Sequence, residues 1–170
     1  MKIAVQLGPA AEAPPEVAYK WDSDTEILSA QLTQGAPTEN GMSGSVGLEG
    51  ADGSWLILDV AAGRINGVEI AVWPEVRKLP ALSVPSTIED AHVSIPSRRS
   101  QPNIASMETV TRLFAETDHA GKTYHFRLGK PRQCRTIRLA KDVLLDVDEK
   151  SQISGLWLLN VPPSPAPVDL

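Results

Sequence analysis

Aromatic residues and cysteine are scarce in this sequence, and each scarcity narrows the structures it can form. Four Trp, two Tyr and two Phe occur in 170 residues, so a core must rest mainly on Leu, Ile, Val and Ala. A single cysteine, Cys134, excludes an intramolecular disulfide and is typical of a reducing compartment. We interpret Cys134 as a small, half-buried side chain rather than a nucleophile.

Long apolar runs are also missing. The N-terminal stretch MKIAVQLGPAAEAPPE has too few consecutive apolar residues for a signal peptide, and no later window reaches the length of a membrane span. These absences predict a soluble, cytoplasmic protein that does not contact a membrane. Fourteen prolines and twelve glycines are scattered along the chain, and they favour short strands and loops over long helices because proline interrupts helices.

The net charge of −5 is unevenly distributed along the chain. Residues 1–80 hold eleven acids and five bases, whereas residues 81–170 hold ten acids and eleven bases, which gives −6 and +1. Seven of those bases, and no acid, lie in the segment 122–141. Such a segment can bind phosphate, but we interpret it as a solvated strand face or as one that meets the acidic half of the chain.

An internal repeat relates two segments of the chain. Residues 56–74 align with residues 143–163 after one inserted residue, and the alignment matches Asp59 with Asp146 and Gly67 with Gly155. Each copy predicts a hairpin, because an apolar strand ends near an Asp, a polar connection follows, and a second apolar strand starts near a Gly and stops at a Pro. A further hairpin is predicted upstream of each copy, with turns at 22–25 and 118–122.

The predicted fold class is mainly β, or α+β with little helix. Two similar antiparallel β-meanders would pack as a pseudo-twofold sandwich or barrel, so that each covers the apolar face of the other. The predicted boundaries are 1–77 for the first β-repeat, 78–103 for a crossover linker with one strand near 91–95, 104–163 for the second β-repeat, and 164–170 for a flexible Pro-rich tail.

Some details of this fold are also predicted. Residues 41–53 are interpreted as a flexible glycine-rich loop that leads into the strand at Trp55. We expect Trp55, Trp73 and Trp157 in the core or an interface and Trp21 in an exposed position beside a turn. Residues 103–114 are compatible with either a short helical turn or a strand.

The segments YKWDSDTEILSAQL and WLILDVAAGRINGVEI resemble a short bacterial domain of unknown function. Members of that family begin with a Tyr-Asp turn and a strand, and they finish with an Asp-rich turn followed by Gly-Ile-Glu-Ile or a close variant, which GVEI at 67–70 keeps. The second copy keeps Asp146 and Asp148 but has Ser151 and Trp157 where the pattern has Gly and Glu. The resemblance implies two diverged copies and, because some members look like partners of small toxin genes, antitoxin or immunity-type binding.

Catalytic and metal-binding patterns are weak. Asp146 and Asp148 begin the alternation of a Ca²⁺ loop, but the acid that closes such a loop is missing. We therefore interpret them as turn or strand-end residues that bond nearby backbone N–H groups. No Cys or His set suits zinc, and neither a nucleophile elbow nor a phosphate-binding glycine motif is present.

The leading hypothesis is therefore a non-enzymatic protein-binding module, antitoxin- or immunity-like, whose unknown protein partner is basic, for example a small toxin. A homodimer is compatible with it, and no catalytic residue, metal ligand or cofactor is assigned. The candidate partner-binding residues are Asp22, Asp24, Glu26, Glu49, Asp52, Arg132, Arg135 and Arg138.

Two alternatives stay open. One is a small metal-dependent hydrolase that uses the region of Asp146, Asp148 and His119. The other is a weak nucleic-acid binder acting through segment 122–141. It ranks behind protein binding because the bases of that segment fall on both faces of a strand and the nearby aromatic residues have the pattern of a core.

Overall fold

A computed structural model describes residues 3–10, 13–33, 43–96 and 104–164, and for residues 104–111 it describes the backbone alone. Within these ranges the chain forms strands and no helix. The strands are β1 (Gln6–Pro9), β2 (Val17–Trp21), β3 (Leu28–Leu32), β4 (Ser43–Gly50), β5 (Trp55–Ala61), β6 (Arg64–Val72), β7 (Val76–Lys78), β8 (Ala91–Ser94), β9 (Ile104–Thr111), β10 (Leu113–Thr117), β11 (Tyr124–Leu128), β12 (Cys134–Ala140), β13 (Val143–Asp148) and β14 (Ile153–Leu158).

Two six-stranded sheets dominate the molecule. The first sheet has the order β2-β3-β6-β5-β4-β9, and the second has the order β12-β13-β14-β11-β10-β7. β1 and β8 form a separate antiparallel pair. The predicted mainly β class is confirmed, and most neighbouring strands are antiparallel, with β9 on β4 and β7 on β10 as parallel pairs.

The two sheets face each other across one apolar core. In β5 the side chains of Leu56, Leu58 and Val60 are buried. Trp55 and Asp59, which occupy alternate positions of the strand, are exposed. This period of two is the pattern of a strand with one face on a core. A small apolar cavity marks where the sheets meet, and its lining combines residues of the first sheet, Leu48, Leu56 and Leu58, with residues of the second, Phe126, Leu128, Leu145, Ile153, Gly155 and Leu156. The arrangement is thus a sandwich of two open sheets.

Strand order within each sheet differs from that of a simple meander. β3 pairs with β6 rather than with β4, so three consecutive strands, β4 to β6, fold back beside β3. This is a Greek-key order. The expected flexible loop at 41–53 is wrong over most of its length, because β4 occupies 43–50 and buries Val46 and Leu48. The glycines of β4 interrupt the apolar alternation, so the sequence pattern did not indicate a strand there.

The two halves of the chain use the same strand order. Five strands of the first sheet run β2-β3-β6-β5-β4, and five of the second run β10-β11-β14-β13-β12. The hairpins that the repeat aligns also share a register: Asp59 lies opposite Gly67, Asp146 lies opposite Gly155, and an irregularity follows each Asp. This agreement is what the predicted repeat requires, while the pseudo-twofold relation stays a prediction.

The segment between the halves exchanges strands. β7 follows the first set of strands but joins the second sheet, and β9 precedes the second set but joins the first. For residues 103–114 the sequence allowed a short helical turn or a strand. The strand is correct, since β9 covers most of this segment. β8 lies within the expected linker, and residues 165–170 of the expected flexible tail lie outside the described residues. No helix long and apolar enough to cross a membrane occurs in the described ranges.

Candidate functional site

The predicted acidic residues lie in two neighbouring turns and on β4. In the β2–β3 turn, the Asp22 carboxylate accepts hydrogen bonds from the backbone N–H groups of Asp24 (2.9 Å) and Thr25 (3.3 Å), and these bonds lower the pKa of Asp22. In the β4–β5 turn, the hydroxyl and N–H of Ser54 donate to Asp52 at 2.6 and 3.1 Å and lower its pKa. Two of the five acids therefore shape turns.

The sheet order brings these two turns to one end of the first sheet. β3 and β5 both start at this end, and β6, which lies between them, ends there. Asp24 and Glu26 are exposed in the first turn, and Glu49 is exposed beside the second. Strand spacing sets the centres of the two turns roughly 14 Å apart. The structure thus brings the acids to the same end of the sheet, in two groups.

The predicted arginines lie elsewhere: Arg135 and Arg138 are on β12, at the edge of the second sheet, and Arg132 lies just before it. The Arg132 guanidinium donates to Asp148 at 2.9 Å and to the carbonyl of Leu128 at 2.7 Å. Arg135 donates two hydrogen bonds to Glu89, at 2.7 and 2.8 Å. Arg138 donates to the Lys141 carbonyl at 2.9 Å. These contacts within the chain reduce the charge available to phosphate.

The acids that pair with the basic segment come mostly from the same half of the chain. Asp148 and Glu89 pair with Arg132 and Arg135. Among the described residues, the loose contact of Lys141 with Glu16, at 4.0 Å, is the only ion pair between the basic segment and the acidic half. The expected electrostatic contact of this segment with the acidic half therefore consists, in the described part of the chain, of one exposed ion pair.

Asp146 was expected in a turn or at a strand end with backbone N–H partners, but it lies within β13 and is the centre of a buried polar network of side chains that sequence reasoning missed. Its carboxylate accepts hydrogen bonds from the Thr136 hydroxyl at 2.8 Å and the Trp157 indole N–H at 3.2 Å, and it lies 3.0 Å from Nε2 of His125. The His125 ring stacks on the Trp157 indole with centroids 4.1 Å apart. All four side chains lie on the outer face of the second sheet, the face away from the shared core.

The signal for this network was present in the strand alternation. Tyr124 and Phe126 point into the core, so His125 between them must point outward. His125 pairs across strands with Trp157, and Asp146 pairs with Thr136. What the sequence did not show is that β11 lies beside β14, which depends on the Greek-key order.

Asp148 has the turn role that the sequence predicted. Its carboxylate accepts hydrogen bonds from the N–H groups of Lys150 (2.9 Å) and Gln152 (3.0 Å), as well as from Arg132. Burial alone would raise the pKa of Asp148, but these hydrogen bonds outweigh it and hold the pKa below its usual range.

These contacts give the hydrolase alternative no support. Both oxygens of Asp146 and both of Asp148 accept hydrogen bonds, so neither carboxylate offers a free ligand. His119 lies exposed in the β10–β11 turn, and the histidine that contacts Asp146 is His125. Across the described ranges, no group of three or more His, Cys, Asp or Glu side chains is arranged to hold a metal ion.

Cys134 lies at the start of β12 and is exposed rather than half-buried. Neighbouring atoms still desolvate its thiol, and this raises the thiol pKa, as does the negative charge of Asp146. A raised pKa lowers the thiolate fraction, and the thiolate is the nucleophilic form. Cys134 is therefore not activated for nucleophilic attack.

The outer face of the first sheet is chemically different from that of the second. Trp55 and Val72 are cross-strand partners, and they are 38% and 47% exposed. Glu49 lies opposite Trp55 on β4, and Glu69 lies opposite Ile57 on β6. We call this surface the acidic–aromatic face, and it consists of Glu49, Trp55, Ile57, Asp59, Glu69 and Val72.

Equivalent positions of the two sheets show the difference clearly. Asp146 of the second sheet is 4% exposed and has three partners, whereas Asp59, which the hairpin register places equivalently, is exposed. Within the described part of the chain, Glu49, Asp59 and Glu69 form no ion pair. One outer face thus satisfies its polar groups internally, and the other presents them to solvent.

The tryptophans depart from expectation in one respect. Trp21 was expected to be exposed, but it packs against the core edge, stacks on Trp73 with centroids 5.6 Å apart, and donates its indole N–H to the Pro162 carbonyl at 2.8 Å. Trp157 is buried and Trp73 is partly buried. Trp55 is exposed, which excludes the core, and the interface alternative of its expectation stays a prediction.

No protein-family model and no curated protein matches this chain. The resemblance to a short bacterial domain therefore stays a prediction.

Proposed function

We propose that the protein is a non-enzymatic protein-binding module and that the acidic–aromatic face is its recognition surface. The exposed Trp55–Val72 pair, set among acids that have no described ion-pair partner, is the observation that carries the proposal. Tryptophan is enriched among residues that dominate binding energy, and large apolar side chains that share one exposed patch mark interaction sites.

The charge of this face favours a basic partner. Glu49 lies opposite Trp55, whereas Glu69 and Asp59 lie farther along the same face, and Asp52 lies in the adjoining turn. Complementary charge raises the association rate and disfavours partners of the same charge. A basic toxin bound by an antitoxin- or immunity-type protein has this chemistry and agrees with what the sequence resemblance implies.

Self-association through the same face is disfavoured. A twofold contact brings one surface patch against its own copy, so the acids of one protomer would meet the acids of the other. Like charges placed opposite each other destabilise an interface. A partner of opposite charge fits this surface better than a second copy of the chain.

Matched truncations test the proposal. A tagged chain would be used to purify the partner from native host cells, and the affinity would be measured by calorimetry for the wild type, Trp55→Ala and Phe114→Ala. Phe114 is the control because it is an exposed aromatic on the second sheet, 37% exposed against 38% for Trp55. We expect Trp55→Ala to weaken binding at least tenfold, about 1.4 kcal/mol, and Phe114→Ala to change it less than twofold.

Two outcomes would count against the proposal. Equal losses for Trp55→Ala and Phe114→Ala would mean that truncation of any exposed aromatic weakens the complex. Unchanged affinity in Trp55→Ala would place the interface on another surface.

A further inference from the structure

We propose that the indole of Trp55 receives an arginine side chain of the partner, with Glu49 as its carboxylate counterpart. This inference rests on the proposed function and specifies the chemical group that the acidic–aromatic face recognises. A guanidinium is attracted to the face of an aromatic ring and forms charge-assisted hydrogen bonds with a carboxylate.

The sheet register places the two required groups side by side. Glu49 lies directly opposite Trp55 on the neighbouring strand, and such partners have Cβ atoms about 5 Å apart on one face of the sheet. Both side chains are exposed, so each can be reached from solvent. A guanidinium above the indole would therefore also be within reach of the Glu49 carboxylate.

An arginine of the chain itself makes this combination of contacts with an aromatic ring and a carboxylate. On the outer face of the second sheet, the guanidinium carbon of Arg127 lies 4.4 Å from the centroid of the Phe114 ring. A terminal nitrogen of the same guanidinium lies 3.7 Å from the carboxylate of Glu116. There one aromatic ring and one acid bind an arginine of the same chain.

The first sheet offers no comparable internal cation in its described strands. Lys20 lies on the edge strand β2, separated from β5 by β3 and β6. Arg64 lies at the far end of β6, opposite Ala61, whereas Trp55 pairs with Val72 at the other end. Arg112, which directly follows β9 at this end of the sheet, forms no ion pair with Glu49 among the described residues, so the arrangement at Trp55 and Glu49 is open to a cation of another molecule.

Arginine fits this place better than lysine. Its planar guanidinium stacks on an aromatic face and binds a carboxylate through two parallel N–H groups, whereas the lysine ammonium is a compact and strongly hydrated charge. The remaining acids of the face, Asp59 and Glu69, add a favourable field for any cation without selecting its shape.

A nuclear magnetic resonance titration of the full chain tests the inference without the natural partner. The four indole N–H signals would be followed, with that of Trp55 assigned by its loss in Trp55→Phe. The probe is L-argininamide, and its control is L-citrullinamide, which has nearly the same shape but a neutral side chain. We expect a saturable shift of the Trp55 signal with argininamide and less than a fifth of that shift with citrullinamide.

Two single-charge variants test the role of Glu49. Glu49→Gln should weaken the binding of argininamide at least threefold, whereas Glu149→Gln, which removes one exposed charge from the β13–β14 turn of the other sheet, should change it less than 1.5-fold. Equal shifts with both amides, equal effects of both variants, or no shift at Trp55 would overturn the inference.

The failure of this inference and that of the proposed function give different results. If argininamide does not bind but Trp55→Ala still weakens the natural complex and Phe114→Ala does not, the face is the interface and arginine recognition is wrong. If the natural complex is indifferent to Trp55→Ala, the proposed function fails, and with it the inference that the arginine belongs to a partner.

Discussion

At the residue scale, the same sheet position has opposite roles in the two halves of the chain. Asp59 and Asp146 align in sequence and in hairpin register, yet Asp59 is exposed and Asp146 is buried with three hydrogen-bonding partners. Sequence reasoning placed both at the ends of apolar strands, but Asp59 lies within β5 and Asp146 lies within β13. It could not assign their surroundings, because His125 and Thr136 reach Asp146 from strands that are distant in sequence.

This difference predicts unequal costs for one substitution. Asp146→Ala leaves the buried donors of Thr136 and Trp157 without an acceptor, and we expect a loss of about 3 kcal/mol in the free energy of unfolding. Asp59→Ala is the matched control at the exposed position and should cost less than about 0.5 kcal/mol. Urea unfolding measures both, and equal costs would mean that the network at Asp146 adds no stability.

Asp148 predicts a dependence of stability on pH. Because the folded state holds the pKa of Asp148 below its unfolded value of about 3.9, the stabilisation is present above that value and is lost as the pH falls through the lower folded pKa. Asp148→Asn should therefore destabilise the protein at pH 7 and have a smaller effect at pH 2.5. Urea midpoints at the two pH values test this, with Asp24→Asn as an exposed control; an equal effect of Asp148→Asn at both pH values would contradict it.

At the scale of strands and hairpins, the local sequence pattern predicted the structures that form between residues close together in the chain. The two aligned hairpins and the two upstream hairpins all occur, because alternating apolar residues and turn-forming residues lie within each segment. β4 was not predicted, since its glycines interrupt the apolar alternation and its place in the sheet depends on β5 and β9. The Greek-key order was not predicted either, because the chain between β3 and β4 carries no signal for which strands it passes.

Close packing at the hairpin glycines predicts a second pair of unequal costs. A Cβ added to Gly155 would lie 2.8 Å from both an Asp146 oxygen and the Phe126 carbonyl, whereas one added to Gly67 would lie 3.3 Å from an Asp59 oxygen and 3.4 Å from the Ala30 carbonyl. Gly155→Ala should therefore destabilise the protein by about 2 kcal/mol and Gly67→Ala by clearly less. Thermal unfolding monitored by circular dichroism compares the two, and the reverse order would show that the first hairpin is packed more tightly.

At the scale of the whole molecule, the two halves depend on each other. Their sheets share one core, and each sheet contains a strand from the segment that joins the halves: β7 in the second sheet and β9 in the first. Composition predicted a mainly β protein, but it did not indicate that β7 and β9 each join the sheet of the other half. An isolated half would expose its apolar sheet face and lose one edge strand.

Fragments of the chain test this dependence. We expect residues 1–84 and residues 85–170, each expressed alone, to lack the dispersed amide signals of a folded β protein, because neither buries its core face. Mixing the two fragments should restore the dispersed spectrum. A well-dispersed spectrum from either fragment alone would show that it folds as an independent domain.

The central claim is that the acidic–aromatic face of the first sheet binds a basic protein. Its most direct test is photo-crosslinking in native host cells with a benzophenone amino acid placed at position 55, 72 or 114 in separate variants. Positions 55 and 72 lie on the proposed surface, and position 114 is the comparably exposed aromatic position on the other sheet. The account predicts one adduct of the same mass, with a basic protein, from positions 55 and 72 and none from 114; an adduct from 114 alone, or none from 55 and 72, would contradict it.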